Sequence, residues 1–264
     1  MNDKLARDAR SGSSTLATRI WLQRCGGALL RGLLPTSCAL CGTDANEPLC
    51  PDCAAQFFGS DAAVVRCPRC ANPMQGTRDT GDMGQLCGAC IAKPPAFDLT
   101  VVATDYAMPV DQLVLQLKFG HRLALAALLA RLLRDAIAER PSLVLPALLC
   151  PVPLGPRRLA ERGYNQALEI ARPLSRSLGV ALHARLASRV LETAAQSSVA
   201  PDQRQRNIAG AFAVPDASLV QGRHIGIVDD VMTSGRTLNE LAATFKRHGA
   251  ARISNFVFAR TPPH

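Results

Sequence analysis

Residues Gly222–Leu241 read GRHIGIVDDVMTSGRTLNEL. An apolar run ends in two consecutive aspartates, a Thr/Ser/Gly turn follows, and an amphipathic run begins. RHIGIVDD has the character of a buried strand, and TLNELAATFKRHGA that of a helix with Leu238, Leu241, Ala242 and Phe245 on one face and Gly249 as its stop signal. Thr233-Ser234-Gly235-Arg236-Thr237 then lies at a helix N-terminus. There, free N–H groups, hydroxyls and the positive end of the helix dipole suit a phosphate, and Gly235 lets the backbone approach closely. Asp229 and Asp230 repel the anion that the turn attracts. A ligand satisfying both carries hydroxyls or a metal at one end and a phosphate at the other, which is the layout of a ribose 5-phosphate. A strand ending in Asp-Asp also suits the Mg²⁺ strand of a P-loop ATPase, but none of the four lysines (Lys4, Lys93, Lys118, Lys246) lies in a G-x-x-x-x-G-K-[ST] loop. The G-x-G-x-x-G fingerprint is also missing, which leaves an ordinary strand-turn-helix with an acidic cap as the plain alternative.

Outward from this stretch, strands alternate with helices. LTVVATDY and RISNFVFA read as strands, QLVLQLKF and LALAALLARLLRDAIAER as helices, SLVLPALLCPVPL as a buried strand running into a loop, and 160–178 as helical. This pattern predicts an α/β fold with a mostly parallel sheet flanked by helices, whose ligands sit at the carboxyl ends of strands. The domains expected are 1–34, a polar arm and amphipathic helix; 35–97, a cysteine-rich module ending in KPPAF; and 98–264, the α/β domain.

Eight of the ten cysteines form C-x-x-C pairs: Cys38/Cys41, Cys50/Cys53, Cys67/Cys70 and Cys87/Cys90. Two such knuckles surround one tetrahedral ion, so the four pairs predict two structural zinc sites rather than disulfides or redox pairs. Sequential pairing closes the shorter loops and is expected on chain entropy, with interleaved pairing open. Cys150 closes an apolar run and reads as a small core residue.

No run of 18 apolar residues is present, and the arginine-dotted N-terminus lacks the pattern of a signal peptide, so no membrane span and a cytoplasmic location are expected. The net charge is +9, and residues 98–264 hold 20 basic against 13 acidic side chains. Such an excess suits a polyphosphate or a nucleic acid bound in a salt-sensitive manner. Aromatics make up only 4% of the chain, so base-stacking platforms are few.

IGIVDDVMTSGRT resembles the ribose-phosphate motif of type I phosphoribosyltransferases. With the four knuckles, and with LKFGHR (117–122), PVPLGPRRLAERGYNQ (151–166) and TAAQ…RQRNIAGAF (193–212), the chain resembles the ComF family of competence-associated proteins, which includes GntX-type proteins. The resemblance implies a type I phosphoribosyltransferase fold preceded by a double zinc ribbon. It implies phosphoribosyl pyrophosphate, or a related ribose phosphate, as ligand: Asp229 and Asp230 on the ribose diol, Thr233, Ser234, Gly235, Arg236 and Thr237 on the 5-phosphate, and Mg²⁺ with the diphosphate. Arg157, Arg158 and Arg162, in the loop after the LVLPALLC strand, are candidates for the pyrophosphate, where guanidinium forks suit phosphate oxygens. Arg189, Thr193, Gln196 and Arg204 would belong to a mobile loop closing over the site. Arg236 stands where a small residue is expected, and Leu191 where a basic one is common. The family association points to natural transformation, with single-stranded DNA and competence-machinery proteins as partners. Three roles are open: a ligand-binding module in DNA uptake, a transferase displacing pyrophosphate toward an unknown acceptor, and a zinc-dependent scaffold. No residue identifies itself as a catalytic base.

Overall fold

The computed structural model describes residues 36–59, 64–74, 85–190 and 210–262. They form two compact units, divided between Cys53 and Ala54. The first holds a small antiparallel ribbon, β1 (Thr36–Ser37) with β2 (Asp44–Ala45), and the start of helix α1 (Pro51–Phe58).

In the second unit, helix α2 (Gly88–Ala92) precedes β3 (Leu99–Asp105), α3 (Asp111–Lys118), α4 (Leu125–Ala138) and β4 (Leu148–Pro151). Helices α5 (Pro156–Arg162) and α6 (Gln166–Leu178), strands β5 (Ala181–Leu182), β6 (Ser188–Arg189) and β7 (Phe212–Ala213), and then β8 (His224–Met232), α7 (Arg236–Arg247) and β9 (Arg252–Arg260) complete it. Five strands make one sheet in the order β3-β9-β8-β4-β5, every neighbouring pair parallel. Among the described residues no helix is long and apolar enough to cross a membrane.

The α/β expectation is met, with two local corrections. The strand expected over SLVLPALLCPVPL is confined to Leu148–Pro151; Pro146 has no N–H to give a ladder. The helix expected over 160–178 is two helices: α5 ends at Gly163 in the left-handed region (φ 79°), and Asn165 starts α6, its side chain accepting from the N–H groups of Ala167 (3.0 Å) and Leu168 (3.4 Å).

The sheet is buried on both faces, and β9 is buried from Ile253 to Arg260. Ile225, Ile227, Ile253 and Val257 share one core cluster with Leu238, Leu241 and Phe245 of α7. A side chain at Gly226, on the alternate register of β8, would come within 2.7 Å of Leu149 and Pro146 and 2.9 Å of Phe256, so only glycine lets β8 lie this close. From β4 the chain steps to β5 on one side, whereas β8 steps to β9 on the other. The boundary between β4 and β8 is therefore the topological switch point, where open α/β sheets leave a crevice.

Candidate functional site

At that crevice β4 pairs with β8 only as far as Pro151 opposite Val228, while β8 and β9 stay paired out to Met232 opposite Arg260. Asp229 and Asp230 are the first residues of β8 beyond the reach of β4. Asp230 is 3% exposed and Asp229 half-buried. Burial, then the adjacent Asp230 carboxylate, pushes Asp229 well above the ordinary carboxylate range. Two groups offset the charge of Asp230: Lys118 Nζ at 2.5 Å from Oδ2, and Gln166 Nε2, which donates to Oδ1 at 3.3 Å.

Local structure delivers both partners. Lys118 is the last residue of α3, and the backbone carbonyl of Leu117 before it accepts from the Tyr164 hydroxyl. Gln166 opens α6 directly after its cap Asn165, whose Nδ2 donates to Val152 O at 3.0 Å and so fixes α6 to the loop after β4. Arg162 donates to Gln166 Oε1 at 2.5 Å and lies over the Phe119 ring at 5.3 Å. A polar chain thus runs Arg162–Gln166–Asp230–Lys118. Lys118 and Gln166 lie in LKFGHR and PVPLGPRRLAERGYNQ, where spacing alone gives neither a role. The signals were there: a lysine in a chain with four lysines among 30 basic residues, and a glutamine behind a helix cap.

The expected arginines separate. Arg162 joins the aspartate network. Arg157 is exposed and pairs with Glu161 at 2.8 Å on its own helix. Arg158 is exposed on α5 and stands within electrostatic reach of Arg189. Arg189, on β6, lies over the Phe212 ring at 5.5 Å; burial and then Arg158 lower its pKa, while Asp229 opposes them. Thr193, Gln196, Arg204 and Leu191 lie outside the described residues.

Thr233–Thr237 forms the turn from β8 into α7. Gly235 occupies the N-cap at φ 74°, a left-handed setting, and no side chain caps the helix start. A Cβ there would come within 2.5 Å of Met232 Cε. The uncapped first turn, the Thr233 and Ser234 hydroxyls exposed beside it, and the twelve-residue helix behind it form a cradle for an anion.

The cysteines group sequentially, as chain entropy led one to expect: Cys38, Cys41, Cys50 and Cys53 in the first unit, and Cys67, Cys70, Cys87 and Cys90 in the second, the thiol sulfurs of each group within 4.8 Å of one another. Tetrahedral zinc with Zn–S of about 2.3 Å puts neighbouring sulfurs about 3.8 Å apart. The sulfurs of Cys41 and Cys50 are 3.7 Å apart, and those of Cys70 and Cys87 3.5 Å. Backbone N–H groups already point at sulfur, Cys50 N at Cys38 and Cys87 N at Cys67, each at 3.4 Å. Burial alone would raise the Cys38 and Cys67 thiols, but these and neighbouring amides bring them down to about 6 and about 7. Both groups fit structural zinc. Cys150, fully buried outside them, is pushed up to about 12 by burial and stays a core residue, as expected.

The fold and these sites define a phosphoribosyltransferase-type domain joined to a double zinc ribbon: residues 161–263 match the phosphoribosyl transferase domain and 29–93 the double zinc ribbon domain. Three named proteins are similar along most of the chain. DNA utilization protein YhgH of Salmonella typhi is 39% identical over 201 residues, 75% of this chain and 85% of that protein. YhgH of Escherichia coli K12 is 38% identical over 198 residues, 74% of this chain and 84% of that protein. Competence protein F of Haemophilus influenzae is 30% identical over 220 residues, 82% of this chain and 92% of that protein. The chain belongs to the ComF family.

Proposed function

We propose that the chain binds phosphoribosyl pyrophosphate, or a related ribose phosphate, at the β4/β8 crevice and serves DNA uptake in contact with single-stranded DNA. The observation that carries the reading is the pairing of Asp229 and Asp230, past the end of β4, with the uncapped turn Thr233–Thr237. Among the described residues Lys118 is the ammonium partner of Asp230, and the charged form of Asp229 carries a penalty from burial, then from the Asp230 carboxylate. Ribose hydroxyls donating to the pair relieve it at one end of the ligand, and the α7 start takes the 5-phosphate at the other.

Arg162 and Arg158 lie on the side of the loop after β4 and would take the diphosphate. Arg157, engaged by Glu161, is the weaker candidate. Arg189 would approach from β6, with Thr193, Gln196 and Arg204 further along that loop. Mg²⁺ accompanying the diphosphate would supply charge neutralisation, with Asp229 as the carboxylate able to hold it. Zinc at the two cysteine groups is structural in this reading.

The DNA role rests on the names of the relatives, "DNA utilization protein" and "Competence protein F", and on the basic excess of residues 98–264. Phosphate contacts would dominate, and the affinity would fall steeply with salt. The competence machinery is the corresponding protein partner.

Calorimetry with phosphoribosyl pyrophosphate and Mg²⁺ tests the central claim. Wild type binds and the Asp229→Ala/Asp230→Ala double variant does not; failure of folded, zinc-loaded wild type to bind ends the proposal. A pyrophosphate-release assay on the same samples separates a ligand-binding module from a transferase. Release that depends on an added acceptor assigns turnover.

A further inference from the structure

Arg260 is the last residue of β9 and only 6% exposed, a position where a guanidinium must be fully partnered. Its fork reaches two places. Nε donates to Cys70 O at 3.2 Å and Nη2 to Asn72 Oδ1 at 2.5 Å, both in the second cysteine knuckle. Nη1 donates to Met232 O at 3.0 Å, to Thr233 O, and to Thr261 O at 2.6 Å. Met232 and Thr233 lead directly into the turn that forms the anion cradle.

The knuckle and Met232 share one buried core cluster, but that packing stops short of the turn itself, whose Thr233 and Ser234 are exposed. A cavity of about 530 Å³ lies between knuckle and turn, lined by Cys70, Cys90, Met232, Ser234, Gly235 and Arg236 among others. Helix α7 has a separate anchor further along, where Asn239 Oδ1 accepts from Ala96 N at 2.7 Å. The helix body thus has an anchor besides Arg260, whereas the turn in front of it meets the arginine through Thr233 O, next to Met232 O, which also accepts from Thr261 N at 3.0 Å.

The knuckle end of the link depends on the metal ligands. Cys67 and Ala71 close a tight turn, Ala71 N donating to Cys67 O at 2.8 Å and Cys67 N to Asn72 O at 2.9 Å. Ala71 sits at φ 58°, a left-handed setting that a residue with a Cβ adopts only under constraint. Coordination of Cys67 and Cys70 to one ion would supply that constraint and keep Cys70 O and Asn72 aimed at Arg260.

We propose that Arg260 is a positioning strut: zinc in the Cys67/Cys70/Cys87/Cys90 site sets the shape of the Thr233–Thr237 turn and with it the affinity for a sugar phosphate. The ligand half of this inference rests on the reading of that turn as a phosphate cradle. The coupling is reciprocal, so a sugar phosphate bound at the turn tightens zinc in the second knuckle by the same factor that zinc tightens the sugar phosphate.

The test uses the full chain, with zinc quantified, ribose 5-phosphate as probe, and two readouts: calorimetric affinity, and hydrogen exchange at the amides of residues 232–237. Asn72→Ala removes one side-chain acceptor of the strut, keeps the Asn72 backbone that accepts from Cys67 N, and leaves the turn residues unchanged. It is expected to keep two zinc ions, speed exchange at 232–237 about tenfold and weaken ribose 5-phosphate binding five- to tenfold. Extraction of the second zinc by a chelator is expected to do at least as much. Saturating ribose 5-phosphate is expected to raise the chelator concentration needed for that extraction by a similar factor.

Faster exchange without any ribose 5-phosphate binding, in wild type or variant, keeps the strut and removes the cradle reading. Ribose 5-phosphate binding with exchange and affinity unchanged in Asn72→Ala and after zinc extraction overturns the strut and leaves the cradle. Where zinc extraction unfolds the chain by circular dichroism, Asn72→Ala alone decides.

Discussion

Strand β8 has two flanks that end differently. Beside β9 the ladder runs to its last residue, Met232, and Arg260 opposite it satisfies carbonyls of the second knuckle and of the turn into α7. Beside β4 the ladder stops at Val228, where one lysine and one glutamine amide meet the Asp230 carboxylate and Asp229 accepts only from the Asp230 N–H among the described residues. The first flank is closed: its polar groups are spent on one another and hold the fold. The second is open, with charge left for something else to satisfy. A buried arginine and a buried aspartate look alike in a burial profile. The count of their partners tells structure from site.

Cys90→Ser is expected to have the largest effect, because Cys90 belongs both to the metal group and to the core beneath α7. It should cost one zinc per chain and lower the melting temperature by about 10 °C or more, at about 2–4 °C per kcal/mol for a domain of this size. Cys41→Ser, in the first unit, should also cost one zinc but leave the melting of the sheet domain in place. Equal losses for the two variants would erase the distinction drawn for the closed flank.

On the open flank, Lys118→Met leaves Asp230 buried without its ammonium, at a cost of about 3 kcal/mol in chemical denaturation. Asp229→Asn goes the other way. The folded state holds the Asp229 carboxyl above its unfolded pKa, so between the two values the native protein binds the extra proton, and stability falls as pH rises through that window. Removing the charge should raise the melting temperature at neutral pH and flatten its decline with rising pH, while abolishing phosphoribosyl pyrophosphate binding. A neutral or destabilising Asp229→Asn would mean the flank is closed after all. The smallest effect is expected for Arg157→Ala, within about 0.5 kcal/mol and without change in ligand affinity, since its partner Glu161 is an exposed neighbour one helical turn away.

Local and periodic features were readable in the sequence. The strand and helix around Asp229 announced themselves by apolar spacing, and the cysteine groups by C-x-x-C turns, because those signals span a few residues each. The groups that complete the site come from far away in the chain. Gln166 meets Asp230 across 64 positions and Arg260 meets Cys70 across 190, distances over which spacing carries no information. Arg260 reads in sequence as the polar end of a strand; its role follows from the parallel order that sets β9 beside β8. The break at Gly163 was missed because the apolar period on either side hides a left-handed residue until the Asn cap after it is weighed.

The order of the sheet also sets a timetable for synthesis. Edge strand β3 finds its partner in β9, and Asn255 donates to Thr100 Oγ1 across 155 positions of chain. At about 5–20 residues per second a ribosome needs roughly 8–30 s to cover that distance. Throughout that interval β3 and the second knuckle wait without the strand that covers them. Nascent chains stalled short of Arg252 should therefore be open to proteases and chaperones, and the domain should become resistant in a single late step.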